Sequence, residues 1–184
     1  MQSMPVIAVL GPSGSLSADA SDKTAQLLGE TLSRAGYTTM VSGLTGTAKA
    51  AVDGAKDGGS AIIVSLPGEA LVNNRNIQQI QASSPLNALD QILDHSDAVI
   101  LLSGDLTAIT MLTQIWAYGH LRESPFRQIV LLGSEWKEIV RAISAAAAME
   151  QSSVAMLSYA DSVEEAVEAL RYFGSAKKTA DQTS

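Results

Sequence analysis

The sequence predicts an α/β protein with a three-layer, Rossmann-like fold, in which a mostly parallel sheet of about six strands carries helices on both faces. Two observations carry this. Short, fully apolar runs alternate with longer segments of helical period, the pattern of repeated strand–helix–strand units. Apolar residues make up 46% of the chain and aromatics only 4%, so the core must come from Ala, Val, Ile and Leu, as in helix-on-sheet packing. At 184 residues the chain suits one domain, expected over residues 1–173, with a polar tail over residues 174–184.

The elements follow in order. Val6 to Leu10 reads as a buried strand ending at Gly11-Pro12-Ser13-Gly14-Ser15. A helix is expected from about Leu16 to Ala35, where Gly36 can terminate it in a left-handed conformation. Tyr37 to Val41 reads as a strand ending at Ser42-Gly43, and Thr47 to Lys56 as a helix. Ala61 to Ser65 is a third strand, followed by Leu66-Pro67-Gly68. Glu69 to Ser84 is Asn/Gln-rich and weakly periodic, which predicts a loop with at most a short helix around Ile77. Leu86 to His95 fits a helix, Ala98 to Leu102 a fourth strand and Gln128 to Leu132 a fifth. Between these strands Leu106, Ile109, Leu112, Ile115 and Trp116 recur at helical spacing. A helix from about Glu135 to Met149 and a short sixth strand over Val154 to Leu157 come next. Asp161 and Glu164 have capping-box spacing before a last helix to about Phe173.

Charge and composition remove several function classes. The formal net charge is −7, and the only basic pair is Lys177-Lys178, so no basic face for nucleic acid is expected. A single phosphate held by backbone N–H groups remains compatible with that acidity. Without cysteine there are no disulfides, thiolate metal sites or Cys nucleophile. The N-terminus shows no signal-peptide pattern and the apolar runs are too short to span a bilayer, so a cytoplasmic protein with no membrane partner is expected.

Four strands end in Gly or Ser where a helix begins: Gly11/Ser13, Ser42/Gly43, Ser103/Gly104 and Gly133/Ser134. In a parallel sheet these turns share the carboxyl edge, where ligands bind at the point of reversed strand order. Gly and Ser also suit tight turns and helix caps for purely structural reasons. Gly11-Pro12-Ser13-Gly14 is not a dinucleotide-binding fingerprint, and no Walker-type loop is present. His95 and His120 have no acidic residues at metal-ligand spacing and read as cap or surface residues, so no metal is expected. Ser13 and Ser103 lie outside any G-x-S-x-G elbow. In Ser103-Gly104-Asp105-Leu106-Thr107, hydroxyl and carboxylate groups meet a helix start. Asp105 would there repel an anion or simply cap the helix.

In order and spacing, five segments resemble the lysine-decarboxylase-like or Lonely Guy (LOG) proteins of the SLOG superfamily. They are Ile7 to Gly14, Val41 to Ala55 with its small-residue helix, Ile63 to Glu69, Ser96 to Leu102, and Ser162 to Val167. That group includes cytokinin-activating nucleoside 5′-monophosphate phosphoribohydrolases. The resemblance implies a nucleotide-like ligand and a homodimer, with the helix after the fourth strand near the interface.

The same alignment shows a degenerate P-G-G-x-G-T-x-x-E signature. Ser103 stands for the Pro, Gly104 keeps the first Gly, Asp105 and Thr107 replace the other glycines, and Ala108 replaces the Thr. Met111 occupies the position of the catalytic Glu. Ala88 occupies that of the catalytic Arg, and no Arg lies between Arg75 and Arg122. Neither Met nor Ala can stabilise charge or move a proton.

The leading expectation is therefore a non-catalytic nucleotide or nucleotide-derivative binding or sensor protein without a resident cofactor. Its expected contacts are Gly11, Ser13, Gly14, Ser42, Gly43, Gly46, Ser103, Gly104, Asp105 and Thr107. One alternative is a weakly active or altered hydrolase using Glu69, Asp90 or Asp105, with Arg75 as a nearby cation. Another is an oligomeric scaffold in which Met111, Ile115, Trp116 and Tyr118 meet a partner.

Overall fold

A computed structural model describes residues 4–12, 18–56, 59–69, 72–121, 128–147, 154 and 156–170. Its strands are β1 (Val6–Leu10), β2 (Thr38–Ser42), β3 (Ala61–Ser65), β4 (Ile77–Gln81), β5 (Ala98–Leu102), β6 (Gln128–Leu132) and β7 (Leu157–Ala160). All pair in parallel, in the order β4-β3-β2-β1-β5-β6-β7. The strand order reverses between β1 and β5.

The helices are α1 (Ala18–Arg34), α2 (Gly46–Ala55), α3 (Pro85–His95), α4 (Leu106–Leu121), α5 (Trp136–Ala146) and α6, described over residues 163–170. Alternation along each strand divides them between two faces. Ile7, Val9, Val41, Ile63 and Ile100 point to a core shared with Leu28 and Leu32 of α1, Val52 of α2 and Val167 of α6. Ala8, Leu10, Met40, Val99 and Leu101 point the other way, toward Ile92 of α3, Leu112 and Trp116 of α4, and Trp136 of α5. The central strands are buried on both faces, which is why they read as continuous apolar runs. The fully buried Trp136 also donates its ring N–H to the Leu101 carbonyl at 3.2 Å, tying α5 to β5.

The packing of α1 on α2 is unusually close. A Cβ added to Gly29 would overlap the Ala51 carbonyl oxygen, and one added to Gly54 would overlap that of Gln26. The two glycines thus let each helix backbone lie directly against the other.

Several expectations need correction. The segment expected as a loop contains β4, so the sheet has seven strands rather than six. Its sequence, Ile-Gln-Gln-Ile-Gln, lies at the sheet edge and is only half-buried, so no apolar run marks it. Gln79 and Gln81 donate to the Ser65 hydroxyl at 2.9 and 3.0 Å, which satisfies polar groups that argued against a strand. The last strand is Leu157–Ala160, three residues beyond its expected start. There Leu157 to Ala160 run in register with Ile129 to Leu132. The capping box before α6 is formed one residue later than expected. Ser162 accepts from the Glu165 N–H at 3.2 Å, while the Glu165 carboxylate accepts from the Asp161 N–H at 2.8 Å. The expected tail over residues 174–184 lies outside the described residues.

Thr39 on β2 is completely buried and its hydroxyl has no hydrogen-bond partner, whereas neighbouring Thr38 lies 2.7 Å from the Ser60 hydroxyl. Burying an unpaired hydroxyl costs free energy that a methyl group does not. Thr39→Val should therefore stabilise the protein by about 1 kcal/mol in urea denaturation, with an unchanged m-value.

Candidate functional site

Because every strand runs the same way, the exits of β1, β2, β3, β5 and β6 reach one edge. Gly11, Ser42, Gly43, Gly46, Ser103, Gly104, Asp105 and Thr107 all fall there. Ser13 and Gly14 lie outside the described residues.

At the reversal point the β1 exit is fastened on both sides. Pro12 is buried, and its carbonyl accepts from the Thr47 hydroxyl of α2 at 3.0 Å. Its ring lies against Gly104, where an added Cβ would come within 2.5 Å of Pro12 Cγ. Gly11 packs against both Leu102 and Thr47, each 3.2 Å from the position of an added Cβ. Residues 11, 12, 47 and 104 therefore form one cluster at the reversal point, where an open α/β sheet usually admits its ligand. Sequence reading singled out Gly11 and Gly104 but gave no role to Thr47 or Pro12. Their contact follows from strand order, which has no local signal.

On the β2 side, Gly43 (φ 70°) and Gly46 (φ 50°) both take left-handed conformations, bending the chain tightly into α2. Gly43 donates to the Val64 carbonyl at 2.8 Å. Thr45 is the N-cap residue of α2, but its side chain makes no capping bond. Glu69 folds back over this loop. Its Oε2 accepts from the Leu66 N–H at 3.0 Å, and its Oε1 would lie 3.2 Å from a Cβ on Gly43.

The starts of α3 and α4 on this edge are capped from within, whereas α5, which follows β6 there, has no side-chain cap. Ser84 accepts from the Asn87 N–H at 3.1 Å at the head of α3. At the head of α4, Asp105 Oδ1 accepts from the Thr107 and Ala108 N–H groups at 2.9 and 3.2 Å. Its carboxylate thus sits where the positive end of the helix would attract an anion.

The groups considered for catalysis do not converge. Arg75 precedes β4, and the Asn76 carbonyl beside it accepts from Ala61 at the start of β3, so Arg75 lies at the opposite, amino edge. The expectation of a nearby cation fails because the crossover from β3 to β4, which has no helix among its described residues, carries the chain back across the sheet. Asp90 lies midway along α3, away from either edge. Ala88 is buried in the second core, and Met111 packs against it. Ile115 and Trp116 are buried in the same core, and Tyr118 packs on it, so the apolar character of α4 is largely spent within the chain. His95 lies in the last turn of α3 with Nδ1 2.8 Å from the Gln91 carbonyl, and His120 is in the last turn of α4. Asp53 of α2 belongs to an exposed ion-pair cluster. Burial opposes its charge, but hydrogen bonds from Lys49 and Lys56 win and hold its pKa below the ordinary value.

Residues 4–167 match the SLOG cluster4 family. The chain belongs to that family. The SLOG resemblance and the Rossmann-like fold read from the sequence are thereby established. Among solved structures, this SLOG chain is similar to the molybdenum cofactor binding protein of Rippkaea orientalis, with a TM-score of 0.73, 20% identity, and coverage of 94% of this chain and 99% of that one. It is also similar to the molybdenum cofactor carrier protein of Chlamydomonas reinhardtii, with a TM-score of 0.68 and 22% identity over 92% and 98% of the two chains. DNA processing protein A of Helicobacter pylori, described as binding single-stranded DNA, is a more distant match, with a TM-score of 0.59 and 14% identity over 91% and 80%. At such identities these likenesses show the fold. No curated protein sequence matches the chain significantly. No helix among the described residues is long and apolar enough to cross a membrane.

Proposed function

We propose that this SLOG protein is a non-catalytic binding protein for a small phosphate-bearing ligand, a nucleotide or a related cofactor, held at the carboxyl edge of its sheet. The observation that carries the reading is the contrast along that edge. The β2–α2 loop keeps two left-handed glycines and a helix start that Thr45 does not cap. The positions that the resemblance to LOG proteins assigns to a catalytic Arg and Glu hold Ala88, which is buried, and Met111, which packs on the core. The first feature suits an anion held by the backbone N–H groups of the α2 start, against the repulsion of the Glu69 carboxylate that lies over Gly43, and the second supplies neither charge nor a proton. Fold neighbours described as binding or carrying the molybdenum cofactor support a carrier role, since that cofactor and nucleotides share a phosphate attached to a hydrogen-bonding heterocycle. The ligand contacts proposed are Gly11, Ser42, Gly43, Gly46 and Thr47, with Ser103, Gly104, Asp105 and Thr107 bordering the other side.

Calorimetric titration with molybdenum cofactor, AMP and adenosine tests this. Saturable binding of at least one phosphate-bearing ligand is expected, weakened about tenfold or more by Gly46→Asp, which puts a like charge at the α2 start. A flat response across the panel, or robust release of base from mononucleotides, would sink the reading.

A further inference from the structure

We propose that Glu69 is a specificity-determining residue of the carboxyl edge: its carboxylate accepts hydroxyl donors of the ligand over Gly43 and confines the ligand's anionic group to the α2 side. This inference rests on the ligand-binding reading above and adds which chemical group of the ligand lies where. The sequence builds a firm mount for this side chain. Leu66-Pro67-Gly68-Glu69 follows β3 as a turn, closed by the Glu69 N–H donating to the Leu66 carbonyl at 3.2 Å. Pro67 fixes its own φ, and Gly68 supplies the left-handed corner at φ 90°. The side chain closes the same turn a second time, because Oε2 accepts from the Leu66 N–H at 3.0 Å. Backbone and side chain of Glu69 are thus tied to one residue. The rotamer freedom that a ligand would otherwise have to remove is already lost on folding.

The mount aims at the exit of β2. Oε1 lies 3.2 Å and Oε2 3.9 Å from where a Cβ on Gly43 would stand, so a side chain at that position would displace the carboxylate. Gly43 is buried beneath it, while Glu69 itself is exposed. Oε1 makes no hydrogen bond among the described residues, so its lone pairs stay open to a ligand. An ionised carboxylate only accepts hydrogen bonds. A hydroxyl donating to it forms a charge-assisted bond, about twice as strong as a neutral one. A phosphate brought to the same place is repelled. Gly46 and Thr47 lie further along the same loop, beyond this carboxylate. The ligand class that fits is therefore a phosphate ester with free hydroxyl groups, its phosphate toward Gly46 and Thr47 and its hydroxyls toward Gly43.

Calorimetric titration of the wild type and of Glu69→Gln with AMP, its 2′,3′-dideoxy analogue and inorganic phosphate tests this. The substituted amide can still accept from the Leu66 N–H, so the turn survives. The wild type should bind AMP about tenfold more tightly than the dideoxy analogue, a comparison that needs no variant. In Glu69→Gln that preference should shrink to about twofold, while inorganic phosphate binds about threefold more tightly because the neighbouring charge is gone. Such opposite movements are what a merely structural role cannot produce. Equal wild-type affinity for AMP and the dideoxy analogue would overturn the proposal and leave the binding-site reading intact. So would an undiminished preference in the variant, or a parallel weakening of all three probes. No binding of any probe by either protein would overturn both readings.

Discussion

Gly54→Ala should destabilise the protein by about 3 kcal/mol, and Gly29→Ala by a similar amount, in urea denaturation followed by circular dichroism. In an ordinary helix the same change adds about 0.5–1 kcal/mol of stability through propensity alone. Sterics outweigh that here. An added Cβ at Gly54 would overlap the Gln26 carbonyl oxygen and lie 2.9 Å from its carbon, and at Gly29 it would meet the Ala51 carbonyl in the same way. Both obstacles are backbone, so no rotamer change relieves them, and the helices must separate. Gly36 is the internal control. It has φ 81° but nothing within 4 Å of its would-be Cβ, so Gly36→Ala should cost only the conformational penalty of about 1–2 kcal/mol. Equal losses at Gly36 and Gly54 would mean that close helix approach is not what Gly54 provides.

Gly133→Ala should cost about 3 kcal/mol by a different route, because conformation and sterics add. Gly133 follows β6 with φ 131°, a region that L residues rarely enter. A Cβ there would overlap the Ser103 hydroxyl and lie 2.7 Å from Ser103 Cβ. The double variant Gly133→Ala with Ser103→Gly should recover the steric part and leave the conformational part. A double-mutant cycle with no coupling between the sites would refute this account. Ser103 also leads directly into Gly104 and Asp105, so the single variant should disturb the Thr107 and Ala108 amide shifts as well as stability.

The parts of the fold that were legible in the sequence are those where local pattern and tertiary environment agree. β1, β3, β5 and β6 are buried on both faces, and their apolar runs announce them within a residue of their true ends. β4 escaped because an edge strand needs to bury only part of its surface, and its glutamines find partners in Ser65 that no sequence window contains. Misplacing Arg75 followed from the same omission, since without β4 the chain had no reason to return to the amino edge. At the candidate site, the glycine turns and the capping role of Asp105 were readable locally. The grip of Thr47 on Pro12 joins residues 35 positions apart, and it exists only because β2 lies beside β1. Glu69 reads from the sequence as a carboxylate near the edge, yet its position over Gly43 depends on the pairing of β3 with β2.

The polar edge strand that sequence reading missed bears on how the protein behaves at high concentration. β4 ends the sheet with Ile-Gln-Gln-Ile-Gln, which carries neither charge nor proline, the usual guards against strand-to-strand self-association. Protection falls instead to the molecule as a whole. A net charge of −7 at neutral pH keeps two such edges apart by long-range repulsion. That repulsion fades with added salt and vanishes near the isoelectric point of about 4.7. Acidification toward that value should therefore favour pairing between β4 edges, seen as light scattering that rises near the isoelectric point and falls in the Gln79→Lys variant.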